Sequence, residues 1–338
     1  MRLLMTEMRR LSNRQAIHFI VLILMILVVG LCAALWVSIN PPSDADLQTQ
    51  EQAFAAAQSD WDANGMEMME ACVNEEAQLQ AIDPTIDKNC EEIQPPVRDD
   101  YVWAAPSWDD LLTGHGLGGV GFLSGFAPWL AGAMAILMAA LFVGDEFSSG
   151  SLSAWLTIEP RRTRVYVTKL VVCGIGAAVL ILLADFMTTI GTWLILKING
   201  QPTGVPAGYW TDVYIDQLVG GLFIVVLGAI AGAALTFIVR NSMAIIVAVV
   251  GYIVIVEMIV ARIIPSLQQV LLSDNTLAYV AGSSDYTTQS CATAETGLYL
   301  CSEVVHTVSR TWATSELGIL AVVAIIAGWI FFLRGEVK

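Results

Sequence analysis

Polar side chains are rare in this chain, and their densest group lies between residues 144 and 170. That segment reads GDEFSSGSLSAWLTIEPRRTRVYVTKL and separates two long apolar stretches. A tryptophan beside an arginine cluster supplies a burial anchor and charges that select a partner, which is the chemistry of docking rather than of bond breaking. The same residues would also suit a helix that lies on a membrane surface without any partner, and the residues alone leave both interpretations open.

Two acids, Asp185 and Glu257, lie deep within apolar stretches. A charge at mid-bilayer costs from ~2.5 kcal/mol to more than ~10 kcal/mol, so each acid should face protein or water and have a partner. Glu257 and Arg262 are five residues apart near one end of their stretch, which predicts an ion pair at the membrane interface. Asp185 could line a substrate cavity, exchange protons or be a satisfied structural acid, and its polar neighbours are Thr188, Thr189 and Thr192.

The six cysteines comprise one pair in apolar stretches, Cys32 and Cys173, and two pairs in polar segments. Two cysteines in each of two polar segments on an oxidising side predict two disulfides, Cys72 with Cys90 and Cys291 with Cys301. Free thiols are the alternative, in a cell that rarely oxidises them.

Metal binding and catalysis are both disfavoured by the residue spacing. No CxxC occurs, and the three histidines, His18, His115 and His306, are scattered, so we expect no metal site. No Ser/His, Cys/His or paired-acid constellation falls within one bilayer depth, so we expect no catalytic residue and no enzyme activity in this chain.

The composition is that of a membrane protein: 56% of the 338 residues are hydrophobic, 14% are charged, and the mean hydropathy is +0.66. A helix needs roughly 20 apolar residues to cross a bilayer. Six stretches have about this length, at 17–39, 117–143, 167–196, 215–239, 242–264 and 316–333. We therefore predict an all-α membrane protein with six transmembrane helices.

The distribution of basic residues predicts which loops face the cytoplasm. With the N-terminus inside, eleven of the sixteen Lys and Arg residues fall on the cytoplasmic side and five outside. Both termini are then cytoplasmic, in a multi-pass protein of a bacterial cell (plasma) membrane. About 24 of the 31 acids fall in the outer loops, so the cytoplasmic face suits anionic membrane lipids and the acidic outer face excludes nucleic acid as a partner.

The remaining segments complete the predicted organisation. Residues 1–16 place Leu4, Met8 and Leu11 on one stripe, typical of a cytoplasmic interfacial helix, with a solvated tail as the alternative. Residues 40–116 predict a small, mostly helical extracellular domain: a helical hairpin with one disulfide, whose helix breaks near Asn64 and Gly65 and ends before Pro84, with Trp103 and Trp108 near the interface. The other segments are a cytoplasmic loop at 144–166, outer loops at 197–214 and 265–315, and a cytoplasmic tail at 334–338.

Within the cytoplasmic loop, Ser148 or Ser149 is predicted to cap a short helix that Pro160 ends. This segment resembles the signature of ABC-2 type permeases, the membrane subunits of ATP-driven exporters. The positions that match are Glu146, Phe147, Gly150, Ser151, Leu152, Leu156, Pro160, Arg161, Arg164 and Lys169, with Ser151 in place of the usual threonine. The resemblance extends to the layout of an N-terminal interfacial helix and six spans.

The resemblance implies that this loop is a coupling helix that contacts a cytoplasmic ATPase subunit, and we add Trp155 and Arg162 to its contact residues. The chain has no GxxxxGK[ST] P-loop, so ATP and magnesium would bind the partner, and this chain would need no cofactor. The implied assembly has a second permease copy, as a homodimer or heterodimer. Gly228 and Gly232 could bring helices together between copies or within one subunit.

A hydrophobic or amphipathic substrate, such as a drug, lipid or peptide antibiotic, fits the family, although the large first outer loop departs from its shortest members and leaves the substrate open. Two alternatives remain. The first is an ion-coupled transporter that uses Asp185 and Glu257. The second is a non-transporting accessory or scaffold subunit of a larger membrane complex.

Overall fold

The structure is a computed structural model, and it describes residues 2–40, 42–80, 90, 93–104, 122–201, 203–204, 207–208, 210–293 and 299–334. Six of its helices are long and apolar enough to cross a membrane, so the prediction of a helical, six-span membrane protein is confirmed at that level. These candidate spans are Gln15–Val37, Pro128–Ser148, Arg162–Ile198, Trp210–Val239, Ser242–Val260 and Arg310–Arg334.

Eleven α-helices and one β-hairpin follow each other along the described ranges. The helices are α1 Arg2–Ser12, α2 Gln15–Ile39, α3 Asp44–Gln80, α4 Arg98–Tyr101, α5 Phe122–Ser148, α6 Ser151–Ile158, α7 Arg162–Ile198, α8 Ile215–Val239, α9 Ser242–Gly251, α10 Leu272–Ala281 and α11 Arg310–Arg334. A π-helical turn, Trp210–Tyr214, precedes α8, and α9 continues as a π-helix, Tyr252–Val260, and a last turn, Ala261–Ile263. A 3-10 helix, Pro265–Val270, precedes α10, and the strands are β1 Ser283–Thr293 and β2 Tyr299–Ser309.

The chain forms two compact units. The first comprises Met1–Trp36, Ser107–Tyr286 and Thr307–Lys338, and the second comprises Val37–Pro106 and Thr287–His306.

In the first unit, α8 lies at the centre and packs against α5, α7 and α11. Small residues make this packing close: a Cβ added at Gly232 would lie 3.0 Å from the Ile136 side chain, and one at Gly228 would lie 3.7 Å from it. Both glycines therefore serve helix contact within one subunit. By contrast, α9 buries little of its surface in the chain.

The N-terminal helix α1 contacts protein along the stripe that the sequence indicates. Leu11 is buried, and Leu4 and Met8 pack against the same hydrophobic core. The interfacial helix predicted for residues 1–16 thus lies against the helical bundle, notably against α7. Its apolar stripe faces the bundle because helices α5 to α7 offer an apolar surface at that end.

In the second unit, α3 is one continuous helix of 37 residues, and the predicted break near Asn64 and Gly65 is wrong. The Asn64 side chain donates to Asp60 Oδ1 at 2.7 Å, one turn earlier, which supports the helix instead of interrupting it. The missing side chain of Gly65 makes room for the Trp61 ring, because a Cβ there would lie 2.6 Å from a ring carbon.

The described residues of the arm that follows α3, 90 and 93–104, contain one short helix, α4, and no second long helix of the predicted helical hairpin lies among them. The predicted disulfide between Cys72 and Cys90 is present. Further along, Arg98 pairs with Glu51, and the backbone N–H of Trp103 donates to the Gln50 side chain at 2.8 Å. The predictions for Pro84 and Trp108 lie outside the described residues.

The hairpin of β1 and β2 is an element that the sequence analysis did not predict within residues 265–315. It leads directly into α11, which begins at Arg310. The side chains of Cys291 and Cys301 lie outside those the structure describes, so their disulfide stays a prediction.

Candidate functional site

A sharp connection joins α5 to α7. We call it the elbow (residues 149–161, including α6), and a glycine lies at its first turn. Gly150 has φ 68°, a left-handed conformation that strains other residues. The hydroxyls of Ser148 and Ser149 donate to the carbonyl oxygen of Asp145 at 3.0 and 2.7 Å. The serines therefore satisfy the C-terminal end of α5, and their predicted role as the cap of α6 is wrong.

Helix α6 turns its apolar side towards the bundle. Leu152 is buried, and Trp155 and Leu156 pack against the hydrophobic core. Since Trp155 contacts the protein itself, it is not a free anchor for a partner. Ile158, the last residue of α6, is a large apolar side chain that is 73% exposed. Pro160 follows α6 and separates it from α7, as predicted.

A buried ammonium group lies directly beneath the elbow. Lys169 Nζ is 2.6 Å from Glu7 Oε2 and 2.7 Å from Glu146 Oε1, and the exposed fractions of these side chains are 1%, 1% and 2%. Taking such charges out of water costs several kcal/mol per ion, so they persist only when they are paired and hydrogen-bonded. The three residues belong to α7, α1 and α5, and the contact thus joins three helices.

Further cations complete what we call the ion cluster. Arg14 lies 3.3 Å from Glu146 Oε1 and 3.4 Å from Asp145 Oδ2, and Arg10 lies 3.5 Å from Glu7 Oε1. The cluster therefore contains three cations and three carboxylates, and it is neutral as a group: Glu7, Arg10, Arg14, Asp145, Glu146 and Lys169.

Two aromatic rings face these cations. Phe142 lies beneath Lys169 and Arg14, at 4.4 and 5.2 Å from its ring centroid. Trp155 of α6 lies beneath Arg10, at 4.2 Å. Such contacts contribute ~0.5–2 kcal/mol and depend on position. The second of them links α6 to α1, so the elbow is held both by the apolar core and by the cluster.

An aromatic group ties the elbow end of the bundle to α8 and α11. Phe147 and Tyr166 both meet Phe237, at centroid distances of 5.6 and 4.8 Å, and Phe237 meets Phe332 at 4.8 Å. The Tyr166 hydroxyl donates to the carbonyl oxygen of Ile325 at 2.8 Å. A displacement of the elbow would therefore disturb packing at the ends of both helices.

The three arginines around the start of α7, Arg161, Arg162 and Arg164, have different surroundings. Arg162 donates to the carbonyl oxygens of Phe332 and Leu333 at 3.1 and 3.2 Å, and so caps the C-terminal end of α11. Arg164 pairs with Glu159 at 3.4 Å, and both Arg161 and Arg164 are exposed.

The twelve residues that the sequence analysis assigned to ATPase coupling thus fall into two groups. Six face inwards, namely Glu146, Phe147, Leu152, Trp155, Leu156 and Lys169. The others lie at the surface or at its edge, namely Gly150, Ser151, Pro160, Arg161, Arg162 and Arg164. Sequence reasoning missed Glu7 and Arg14. Glu7 could have been found, because it is an acid on the apolar stripe of a basic helix.

Asp185 has a partner from another element. The Tyr214 hydroxyl donates to Asp185 Oδ2. Thr188 donates to the carbonyl oxygens of Ala184 and Asp185, and Thr192 to that of Thr188, so these two hydroxyls bind the backbone of α7. Thr189 contacts Tyr214. Asp185 is half-buried, and its hydrogen bond joins α7 to the turn before α8.

Glu257 binds the beginning of α10. Its carboxylate accepts from the backbone N–H groups of Leu272 and Ser273 at 3.0 and 3.3 Å and from the Ser273 hydroxyl. A helix N-terminus favours a negative charge, so this contact stabilises the acid. The ion pair predicted with Arg262 stays untested, because that side chain lies outside those described. Burial, and then the Glu257 charge, raise the pKa of Asp274 in the first turn of α10.

The end of the bundle opposite the elbow has its own ion pair. Arg310 at the start of α11 donates to both carboxylate oxygens of Asp216 near the start of α8, at 2.9 and 3.0 Å. The two side chains are 37% and 50% exposed. Arg310 also lies 5.2 Å from the ring centroid of Tyr279.

The polar side chains around the elbow pair mainly with one another. In the described part of the chain, no group of three His, Cys, Asp or Glu side chains is arranged to hold a metal ion. The carboxylates of the ion cluster are occupied by cations, which suits structure more than proton transfer. No protein-family model matches the chain, and no curated protein or solved structure matches it either.

Proposed function

We propose that this chain is the transmembrane permease subunit of an ABC-2 type ATP-driven exporter in a bacterial plasma membrane, with the elbow and both termini in the cytoplasm. The observation that carries the proposal is the elbow itself: a short amphipathic helix between two spans, fixed to the bundle on one side and exposed on the other. Such a helix can transmit a movement of a bound partner to the bundle without changing its own fold. The positive-inside distribution of Lys and Arg supports this orientation.

The ion cluster supports the mechanism of this coupling. Because it joins α1, α5 and α7 through buried charges, these helices would move with α6 as one body. Nucleotide in the partner can favour one membrane conformation only through contacts that differ between the two states. In this proposal those contacts involve the exposed side of α6, around Ile158, and the arginines that follow it.

The ATPase activity would belong to a separate cytoplasmic subunit that binds ATP and Mg²⁺, since the sequence has no P-loop. A second permease copy would complete the pathway. The cargo would be hydrophobic or amphipathic, a drug, a lipid or a peptide antibiotic. An ion-coupled mechanism is a weaker alternative, because Glu257 is held by the start of α10 and Asp185 by Tyr214.

The test is purification of the tagged chain from its native host in mild detergent, followed by mass spectrometry of the proteins that accompany it. Ile158→Asp changes the exposed side of α6 without entering the core. Met66→Asp is the matched control, since Met66 is an exposed apolar residue of the second unit. Trp155 is unsuitable for this purpose, because its removal would disturb the packing of α6.

We expect a soluble P-loop ATPase in equal stoichiometry with the wild type and with Met66→Asp, and a loss of it with Ile158→Asp. An ATPase that stays bound to Ile158→Asp would contradict docking at α6. Other membrane subunits in place of an ATPase would favour the scaffold alternative, and transport in vesicles without any ATPase would favour an ion-coupled transporter.

A further inference from the structure

A basic groove lies where α7 begins and α11 ends. Its volume is about 800 Å³, and its lining includes Arg161, Arg162 and Arg164 together with the hydroxyl residues Thr163 and Thr168. Guanidinium groups donate in the planar geometry that recognises phosphate oxygens, and Arg161 and Arg164 expose theirs here, whereas the Thr168 hydroxyl already donates to the carbonyl oxygen of Arg164 at 2.7 Å.

In the part of the chain that the structure describes, the exposed guanidinium groups of Arg161 and Arg164 outnumber the one carboxylate that pairs with them, Glu159. Glu159 pairs with Arg164 at 3.4 Å in an exposed contact, and contacts of this kind contribute little. Arg162 donates to the carbonyl oxygens at the end of α11 and is left out of this charge balance. Arg161 adds a third, exposed guanidinium. An anion in the groove would therefore meet a net positive charge.

The groove also opens onto apolar surface. Val167 lines it, and Val167, Val171 and Ile175, four residues apart on α7, form an exposed apolar stripe that leads away from it. On the other wall lies Leu333 of α11, which is also exposed. A soluble anion would use only the arginines, whereas a molecule with acyl chains would use the stripe as well.

We infer that this groove binds the phosphate of an anionic phospholipid, whose acyl chains lie along the stripe on α7. Arg161 and Arg164 contact the phosphate and the headgroup, and Arg162 stays on the end of α11. The inference does not depend on the proposed function, because it needs only a membrane around the bundle.

The experiment is native mass spectrometry of the full-length chain in detergent, with phosphatidylglycerol and phosphatidylcholine of identical acyl chains added in separate titrations. Arg161→Ala/Arg164→Ala removes the two exposed cations of the groove. Arg161→Lys/Arg164→Lys keeps their charge. Arg9→Ala, an exposed arginine on α1 that does not line this groove, is the control to be compared with Arg161→Ala. A further titration uses inorganic phosphate.

We expect phosphatidylglycerol to be retained in preference to phosphatidylcholine, and the double alanine variant to bind it roughly tenfold more weakly. The lysine variant should keep most of the binding, and Arg9→Ala should bind as the wild type does. Equal retention of the two lipids would overturn the inference. So would competition by inorganic phosphate at the concentration of the lipid, or an equal loss in Arg9→Ala, since these results indicate a soluble anion or diffuse attraction.

Discussion

Each end of the helical bundle has ion pairs between helices, but those at one end are buried and that at the other end is exposed. At the elbow end, Lys169 lies between Glu7 and Glu146, and all three are almost completely buried. At the opposite end, Arg310 and Asp216 form a bidentate pair that remains open to solvent. The first is difficult to separate, because separation leaves charges unpaired in the interior. The second is easy to separate, because water replaces the partner.

This difference indicates where the bundle can change its shape. Helices α1, α5 and α7 are fixed to one another by ion pairs at the elbow end, whereas the ion pair that joins α8 to α11 at their other end costs little to break. A force on α6 would then be transmitted through α1, α5 and α7. It would separate α8 from α11 at the opposite, weakly closed end. In the proposed exporter, the weakly closed end faces the outside.

The largest effect should follow from the removal of the buried cation. Lys169→Met would remove the nearest cation from the buried Glu7 and Glu146 and leave each with one longer contact to an arginine, at a cost of up to about 3–5 kcal/mol. We expect a large fall in the yield of folded protein and in the temperature of thermal inactivation, both measured by size-exclusion chromatography after heating.

The control is the triple variant Lys169→Met/Glu7→Gln/Glu146→Gln, which removes the two buried carboxylates together with the cation, while Arg14 keeps its contact with Asp145 and Arg10 is part-exposed. It should recover most of the lost stability, since apolar and neutral groups of similar size can replace a buried ion pair. If the single variant were as stable as the wild type, the cluster would not hold the three helices together.

The next largest effect concerns the closeness of packing at the same end. A Cβ at Gly328 of α11 would lie 2.6 Å from the carbonyl oxygen of Ala234, so Gly328→Ala should destabilise the bundle by about 1–3 kcal/mol. Gly318, on the same helix, has nothing within 4 Å of the added Cβ, and Gly318→Ala should be neutral or stabilise by up to about 1 kcal/mol. Thermal inactivation of both variants measures the contrast, and equal effects would refute it.

A smaller effect is expected at the open pair. A double-mutant cycle of Arg310→Ala and Asp216→Ala should give a coupling of about 0.2–1 kcal/mol. Because the pair is exposed, the coupling should shrink at 1 M salt, whereas the effect of Lys169→Met should not. A coupling above about 3 kcal/mol would mean that this end is closed as firmly as the elbow end.

The smallest effect depends on pH. Burial and the nearby Glu257 raise the pKa of Asp274 in the folded protein, so the folded state disfavours the ionised carboxyl. The stability contributed by the proton is therefore present at low pH and lost as the pH rises through the folded-state pKa. Asp274→Asn should raise the inactivation temperature slightly at pH 7 and have little effect at pH 4. A loss of stability at pH 7 would contradict this assignment.

Hydropathy was enough to predict the six spans, because helix length and apolar composition are local properties. The hairpin of β1 and β2 carries Thr, Tyr and Val at high frequency, a local signal that the prediction did not use. The supposed break at Gly65 failed for another reason: a glycine has low helix propensity, but here it accommodates Trp61, a neighbour one turn away.

The elbow could be predicted from its own segment, but the ion cluster could not. Glu7 and Lys169 are 162 residues apart, and only the packing of α1 on α7 brings them together. The sequence of the segment also could not predict which way the Trp155 side chain points. The apolar side of an amphipathic helix can face either a partner or the rest of its own protein. That choice depends on the core that Phe142 and its neighbours provide.

The central claim, that the exposed side of α6 contacts an ATPase, is tested most directly by a photo-crosslinking amino acid at position 158 in living cells of the native host. The account predicts a crosslink from this position to a soluble protein with a P-loop, and none to that protein from the same amino acid at position 66. Crosslinks from position 158 to lipid alone, or to another membrane protein, would contradict it.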